Sequence, residues 1–269
     1  MNLRPSHPVP RRPAVAMTLL EIMVAVSLLS LIVLTLYNMF DRTQKALRGT
    51  RNQSDVAEAG RAGMETLCRE LQQMRMMSST NIRLCNMYLD TRFASNSYAI
   101  GANSNSLQTN ILMDLFFRTF TPQATPNVWA ATGYRVADPA DPRLQPANGV
   151  GTLYRYVTNA PRVNTTDIDN YFATVAGVTN YFQRVCDGVI HFSLRLYTNG
   201  GALNPNYPLY LQDTQMASHV EVELGILPPF VLDQAKSFPV ASDQINYLMS
   251  KGDKVQMFRQ LVPIQTTAR

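Results

Sequence analysis

The chain lacks the groupings that catalysis draws on. No HExxH, GxSxG, P-loop or complete GxGxxG pattern occurs in its 269 residues, and Gly149-Val150-Gly151 by itself reads as a turn. Histidine is scarce, with three in all. His191 and His219 fall on or beside strand patterns and join no triad, so they read as solvated strand histidines. An enzyme is not expected, and no cofactor is implied.

Cysteine is equally sparse. Cys68, Cys85 and Cys186 show no CxxC and no Cys/His metal spacing. An odd count cannot pair completely within one chain. Two readings stay open: a Cys85–Cys186 bridge in an oxidising compartment, or three small buried hydrophobes.

A large net positive charge outside the first segment is also missing. The formal charge is +5, but Arg4, Arg11 and Arg12 supply three of those charges, and residues 1–16 hold no acid. The remainder carries 21 basic and 19 acidic residues, too even a balance to draw in a phosphate backbone. Tyr154-Arg155-Tyr156 interleaves aromatic and basic groups, yet one strand makes no groove for a single strand of nucleic acid. No nucleic-acid partner is expected.

Proline is absent between Pro13 and Pro122, whereas residues 1–16 hold four. Those four exclude a continuous helix from the first segment. Met17 to Phe40 then runs 24 residues with no glycine or proline and one charge, Glu21. As a helix it spans about 36 Å at ~1.5 Å per residue, enough to cross a bilayer core. The arginines precede the run, which places residues 1–16 in the cytoplasm and the bulk of the chain outside.

A secretory signal would carry its small-residue cleavage site after the apolar run, but Ala14-Val15-Ala16 lies before it. Arg11-Arg12 suggests a twin-arginine signal, which the following Pro-Ala-Val and Glu21 fit poorly. A plain signal anchor has no use for Glu21. An ionised carboxylate in hydrocarbon costs about 3 kcal/mol on insertion scales, so it signals a function and a partner.

Ala16-Met17-Thr18-Leu19-Leu20-Glu21, followed by Ile22-Met23-Val24-Ala25-Val26, resembles the cleavage and methylation motif of type IV prepilins and pseudopilins. The family usually has Gly and Phe where this chain has Ala16 and Met17. The resemblance implies that prepilin peptidase cuts between Ala16 and Met17 and methylates the new amine. Thr18, Leu19, Leu20 and Glu21 then open the assembly helix. Glu21 would pair with the Met17 amine of a neighbouring subunit, offsetting its cost and setting the axial register.

Past Phe40 the helical pattern continues, now amphipathic, to about Met77. Val56, Ala57, Gly60, Met64, Leu67, Cys68, Leu71 and Met74 recur at spacings of three and four. Asp41 with Lys45, and Glu65 with Arg69, set acid before base at i,i+4 on the wet face. Strands are predicted at Ile111–Thr121, Thr152–Thr158, Val189–Thr198, His219–Leu227 and Lys254–Ile264, with a short helix at Asp243–Ser250. Ile190, Phe192, Leu194 and Leu196 are expected on one strand face. Pro122–Pro146, with five prolines, reads as a long surface loop.

The predicted fold is α+β, one long helix against a mostly antiparallel sheet, as the resemblance also implies for a pilin-like head. Expected segments are a cleaved leader 1–16, a transmembrane and assembly helix 17–40, its amphipathic continuation 41–77, and a periplasmic β-rich head 78–269. Gly60 to Leu71, Gly188-Val189 and Leu227-Pro228 are similar to the J-type minor pseudopilin of type II secretion. Glu21 argues against the K-type tip subunit, which by family pattern lacks that acid. The implied function is structural: a subunit of the pseudopilus that assists protein export across the outer membrane. Its partners would be other pseudopilins or pilins, prepilin peptidase and the inner-membrane assembly platform. A minor pilin of a type IV pilus, for adhesion, motility or DNA uptake, and a signal-anchored periplasmic binding protein or enzyme remain alternatives. Asp167 and Asp169 have an i,i+2 spacing that can ligate calcium but more readily marks an Asx turn or helix cap.

Overall fold

A computed structural model describes residues 18–74, 85–92, 99–100, 108–119, 129–160, 182–198, 200–202, 209–212 and 217–264. The chain divides into two compact units, Met1–Arg51 and Asn52–Arg269. The helix α1, Leu19–Gln72, contributes to both. Its first part, to Leu47, belongs wholly to the first unit and is exposed at every position.

In the second unit α1 buries the predicted stripe. Val56, Met64, Leu67, Cys68 and Leu71 enter the main core, while the intervening Arg61, Glu65 and Arg69 stay exposed. Glu65 and Arg69 form their i,i+4 pair at 2.9 Å. Gly60 lets a strand close on the helix, for a Cβ there would sit 2.3 Å from the Phe258 ring. The helix ends at Gln72, five residues short of the predicted Met77.

The strands of this unit are β1 (Cys85–Arg92), β2 (Ala99–Ile100), β3 (Gln108–Thr109), β4 (Leu112–Thr119), β5 (Trp129–Ala137) and β6 (Gly151–Ala160). They continue as β7 (Phe182–Thr198), β8 (Gly201–Ala202), β9 (Leu209–Gln212), β10 (His219–Ile226) and β11 (Gln256–Pro263). Two short helices, α2 (Pro229–Lys236) and α3 (Ala241–Met249), separate the last two strands. β5 occupies part of the Pro122–Pro146 segment that the proline count assigns to loop. All five prolines lie outside β5, at 122, 126, 139, 142 and 146, so they bracket the strand rather than interrupt it.

The sheet runs β11-β10-β7-β6-β5-β4-β1-β9, with β8 on β7, and β2 and β3 form a separate pair. Neighbours are antiparallel, with one exception that changes the fold class. β7 also pairs with β4, in parallel, at Leu112↔Phe192. β4, β5, β6 and β7 therefore close into a four-strand barrel. The expected pilin-like α+β plan, a long helix on a mostly antiparallel sheet, is overturned by this closure.

Its physical origin lies in β7 and its irregular pairings. β7 has 17 residues, enough for one part to pair with β6 while another reaches β4 and β10. Register shifts interrupt β6–β7 near Leu153 and β7–β10 at Gly225/Ile226. Such bulges bend a strand and increase its twist, which curls the sheet toward closure.

The bulge also corrects one face assignment. Opposite the Gly225/Ile226 step, Ile190 is the extra residue of β7, and it leaves the main core that holds Phe192, Leu194 and Leu196. Val189 takes its place, and Ile190 packs instead with Val150, Leu227, Val231, Ala235 and Leu248 under α2 and α3. Gly188 sits beside this turn with φ +75, and a Cβ would lie 2.8 Å from the Leu227 carbonyl oxygen. That oxygen cannot retreat easily, since the adjacent Leu227 N–H donates to the Gly188 carbonyl at 2.8 Å.

Two substitutions test this packing. Leu71 is fully buried between helix and sheet, and Leu71→Ala should lower stability by about 2–5 kcal/mol in chemical denaturation. Gly188→Ala should destabilise as well, because it adds a strained positive φ to a backbone clash; an unchanged midpoint would refute the close approach.

Candidate functional site

The first unit presents its chemistry at the N-terminal end of α1. Thr18 caps the helix: its Oγ1 accepts the Glu21 N–H at 3.3 Å, and its carbonyl accepts the Glu21 and Ile22 N–H groups. Thr18-Leu19-Leu20-Glu21 thus has the T-x-x-E spacing of a capping box, and Glu21 is the acid of the first turn. A capping role for Thr18 is legible in that spacing, apart from any family resemblance.

Beyond the cap, 17 large apolar side chains from Leu19 to Leu47 are exposed, on every side of the helix. The stretch Leu19–Leu47 has a mean hydropathy of 2.6 and is long and apolar enough to cross a membrane. Such a surface on all faces needs an apolar environment around it. The hydroxyls within it are satisfied internally: Ser27, Ser30 and Thr35 each donate to the carbonyl four residues earlier at 2.8 Å. No hydroxyl donor of these three is left facing hydrocarbon, where it would cost several kcal/mol.

In the second unit several buried polar groups pair with one another. Asp114 and Arg135, both 3% exposed, form a bidentate pair with a shortest contact of 2.9 Å. Glu70 on α1 accepts the Tyr134 hydroxyl at 2.5 Å and the Arg155 guanidinium, tying the helix to β5 and β6. Burial, reinforced by Glu70, raises the Tyr134 phenol well above its ordinary pKa. Tyr154 and Tyr156 are buried, and Arg155 between them is paired with Glu70.

His191 departs from its sequence reading. It is fully buried rather than solvated, whereas His219 is exposed. Its Nδ1 accepts the Ile111 N–H at 3.1 Å, so the neutral ring carries its proton on Nε2, 3.5 Å from Glu223 Oε2. Ser193 donates to the same carboxylate at 3.3 Å, and Arg259 pairs with Glu221 at 2.5 Å and with Glu223 at 3.0 Å. Ser, His and Glu are neighbours here but in the wrong order for a nucleophile. The carboxylate lies between the other two, and the imidazole's basic nitrogen is already occupied.

A cleft of about 370 Å³ opens between the β5–β6 turn, Gly188 and the helices α2 and α3. Its charged rim is Asp138, Arg184, Asp187 and Lys236. Asp187 accepts Thr152 Oγ1 at 2.6 Å and Arg184 at 2.7 Å, so the central carboxylate is a structural acceptor.

Among the sequence-predicted sites, Thr18, Leu19, Leu20 and Glu21 lie together at the start of α1. Ala16, Met17, Asp167 and Asp169 lie outside the described residues. Cys186 is a free buried thiol, and the Cys85 side chain lies outside the described residues. Burial pushes the Cys186 thiol up to about 12 and Cys68 to about 11, keeping both protonated and unreactive. Among the described residues no three His, Cys, Asp or Glu side chains cluster to hold a metal. No protein-family model matches the chain, and no curated protein matches it.

Two expected outcomes follow from the buried charges. Burial holds the His191 pKa below its ordinary 6.5 against the pull of Glu223. The unfolded chain therefore takes up a proton that the folded chain refuses, and stability falls as pH drops through that value. Thermal unfolding of wild type should show this loss below pH 6.5, and His191→Gln should flatten it. For the second pair, Asp114→Ala should cost about 3–5 kcal/mol by removing the carboxylate of the buried bidentate pair, while Asp114→Leu with Arg135→Met should cost far less.

Proposed function

We propose that this chain is a minor pseudopilin, a structural subunit that joins a type II secretion pseudopilus through α1. The observation that carries the reading is a single acid, Glu21, at the capped start of an apolar helix exposed on every face. Directly before it stands Ala16-Met17-Thr18-Leu19-Leu20, the stretch that resembles a prepilin processing site. The barrel-containing head supplies no support for the assignment, which rests on the N-terminal segment.

In this reading prepilin peptidase cuts after Ala16 and methylates Met17, leaving a protonated secondary amine about one helical turn from Glu21. Side-by-side packing of such helices would satisfy the apolar faces. An amine–carboxylate pair between neighbours would fix their stagger, since any other register strands both charges. The cap at Thr18 suits this task by holding the first turn, and so Glu21, in helical geometry. Residues 52–269 would stand on the outer side of the inner membrane, and the same helix chemistry serves a type IV pilus subunit.

Mass spectrometry of the mature N-terminus, in cells with and without prepilin peptidase, tests the reading. The expected product starts at a methylated Met17 and disappears without the peptidase; a mature chain beginning at Met1 would overturn it. Glu21→Val should leave membrane insertion intact while reducing co-isolation with other pseudopilins by roughly a hundredfold, the scale of a broken buried pair. Normal incorporation of that variant would refute the register role.

A further inference from the structure

The apolar run of α1 ends in aromatic residues and then turns abruptly basic. Tyr37 and Phe40 are exposed near its end, and aromatic rings of this kind settle at the level of lipid headgroups. Arg42, Lys45, Arg48 and Arg51 follow at regular three-residue intervals within α1. Asp41 is the sole acid between Phe40 and Ser54, and it pairs with Lys45 at 2.7 Å. Arg42 has no ion-pair partner among the described residues.

Helix geometry converts this spacing into a shape. At about 100° per residue, each three-residue step turns back by about 60°, so the four positions sweep roughly half the circumference. They also descend: Leu19 to Phe40 covers about 33 Å, close to a hydrocarbon core of about 30 Å. Measured from Phe40, Arg42 and Lys45 then lie about 3 and 8 Å outward, in or beside the headgroup layer. Arg48 and Arg51 lie about 12 and 17 Å outward.

A free phosphate needs donors converging on one point. Cations fanned around a helix at the edge of its apolar surface suit a sheet of anions instead. We propose that Arg42, Lys45, Arg48 and Arg51 form a collar that binds anionic phospholipid headgroups where α1 leaves the bilayer. A basic residue near such a surface favours anionic lipid roughly fivefold, and the effect decays over a Debye length of about 10 Å. Arg42 and Lys45 dominate the collar, and Arg51 contributes least.

The collar bears on orientation too. Its four cations outnumber the three arginines before the apolar run, so flank counting alone does not set which end faces the cytoplasm. The proposal requires only that α1 crosses a bilayer; it is independent of processing after Ala16 and of any filament.

The test uses the full chain reconstituted in vesicles of phosphatidylcholine, with or without phosphatidylglycerol. Native mass spectrometry then reads the lipid retained, and carbonate extraction reports insertion separately. Wild type should enrich phosphatidylglycerol over its bulk fraction, and Arg42→Gln with Lys45→Gln should cut that enrichment by roughly tenfold or more. Arg51→Gln should change it least, and replacing Arg42, Arg48 and Arg51 with Lys should preserve it. Undiminished enrichment in the Arg42/Lys45 variant would overturn the proposal, as would equal effects at Arg42 and Arg51. Displacement of the bound lipid by inorganic phosphate alone would overturn it in favour of a free-anion site. Failure of wild type to resist carbonate would remove the membrane span itself, while a chain starting at Met1 would leave the collar untouched.

Discussion

The head depends on one junction, the place where β7 turns back onto β4. Two hydrogen bonds hold it: Phe192 N–H donates to the Ile111 carbonyl at 2.7 Å, and Ile111 N–H donates to His191 Nδ1 at 3.1 Å. An imidazole here substitutes for a backbone acceptor, so the ring must be neutral and its free N–H must face Glu223. From that requirement the rest of the polar layer follows. Glu223 takes Arg259 and Ser193 as further donors, Glu221 shares Arg259 and accepts Tyr197, and the network fastens β7, β10 and β11 across one face. The opposite face is apolar and meets the α1 stripe.

The first unit obeys a different constraint. Its Ser27, Ser30 and Thr35 hydroxyls are satisfied within the helix, but its apolar side chains are left uncovered, so an external phase must cover them. Charge marks both ends of that apolar stretch, Glu21 at the capped end and Arg42 to Arg51 at the other. In the proposed readings the two ends take different partners: a neighbour's amine for Glu21, and anionic headgroups for the basic residues.

Several elements were legible in the sequence because their cause is local. The α1 stripe from Val56 to Leu71 follows from the helical period, and β10, β11 and α3 lie within a few residues of their predicted bounds. β5 was hidden because a proline count describes the ends of a strand as readily as a loop. α2 was missed although Pro228-Pro229 marks its start. The faces of β7 could be read only beyond its bulge, for alternation assumes an unbroken pairing and Ile190 breaks it.

By itself the sequence determined the apolar helix, its single acid, its cap and the basic residues after it, because composition and spacing along one helix decide these. It also shows that HExxH, GxSxG, P-loop and complete GxGxxG patterns are lacking. Tertiary structure alone decided that β4 and β7 pair, that His191 is buried at their junction, and that the antiparallel strands close into a barrel. Those outcomes join residues 80 positions apart, as Ile111 and His191 are. Strand periodicity records which face a side chain takes, but not which strand will lie beside it.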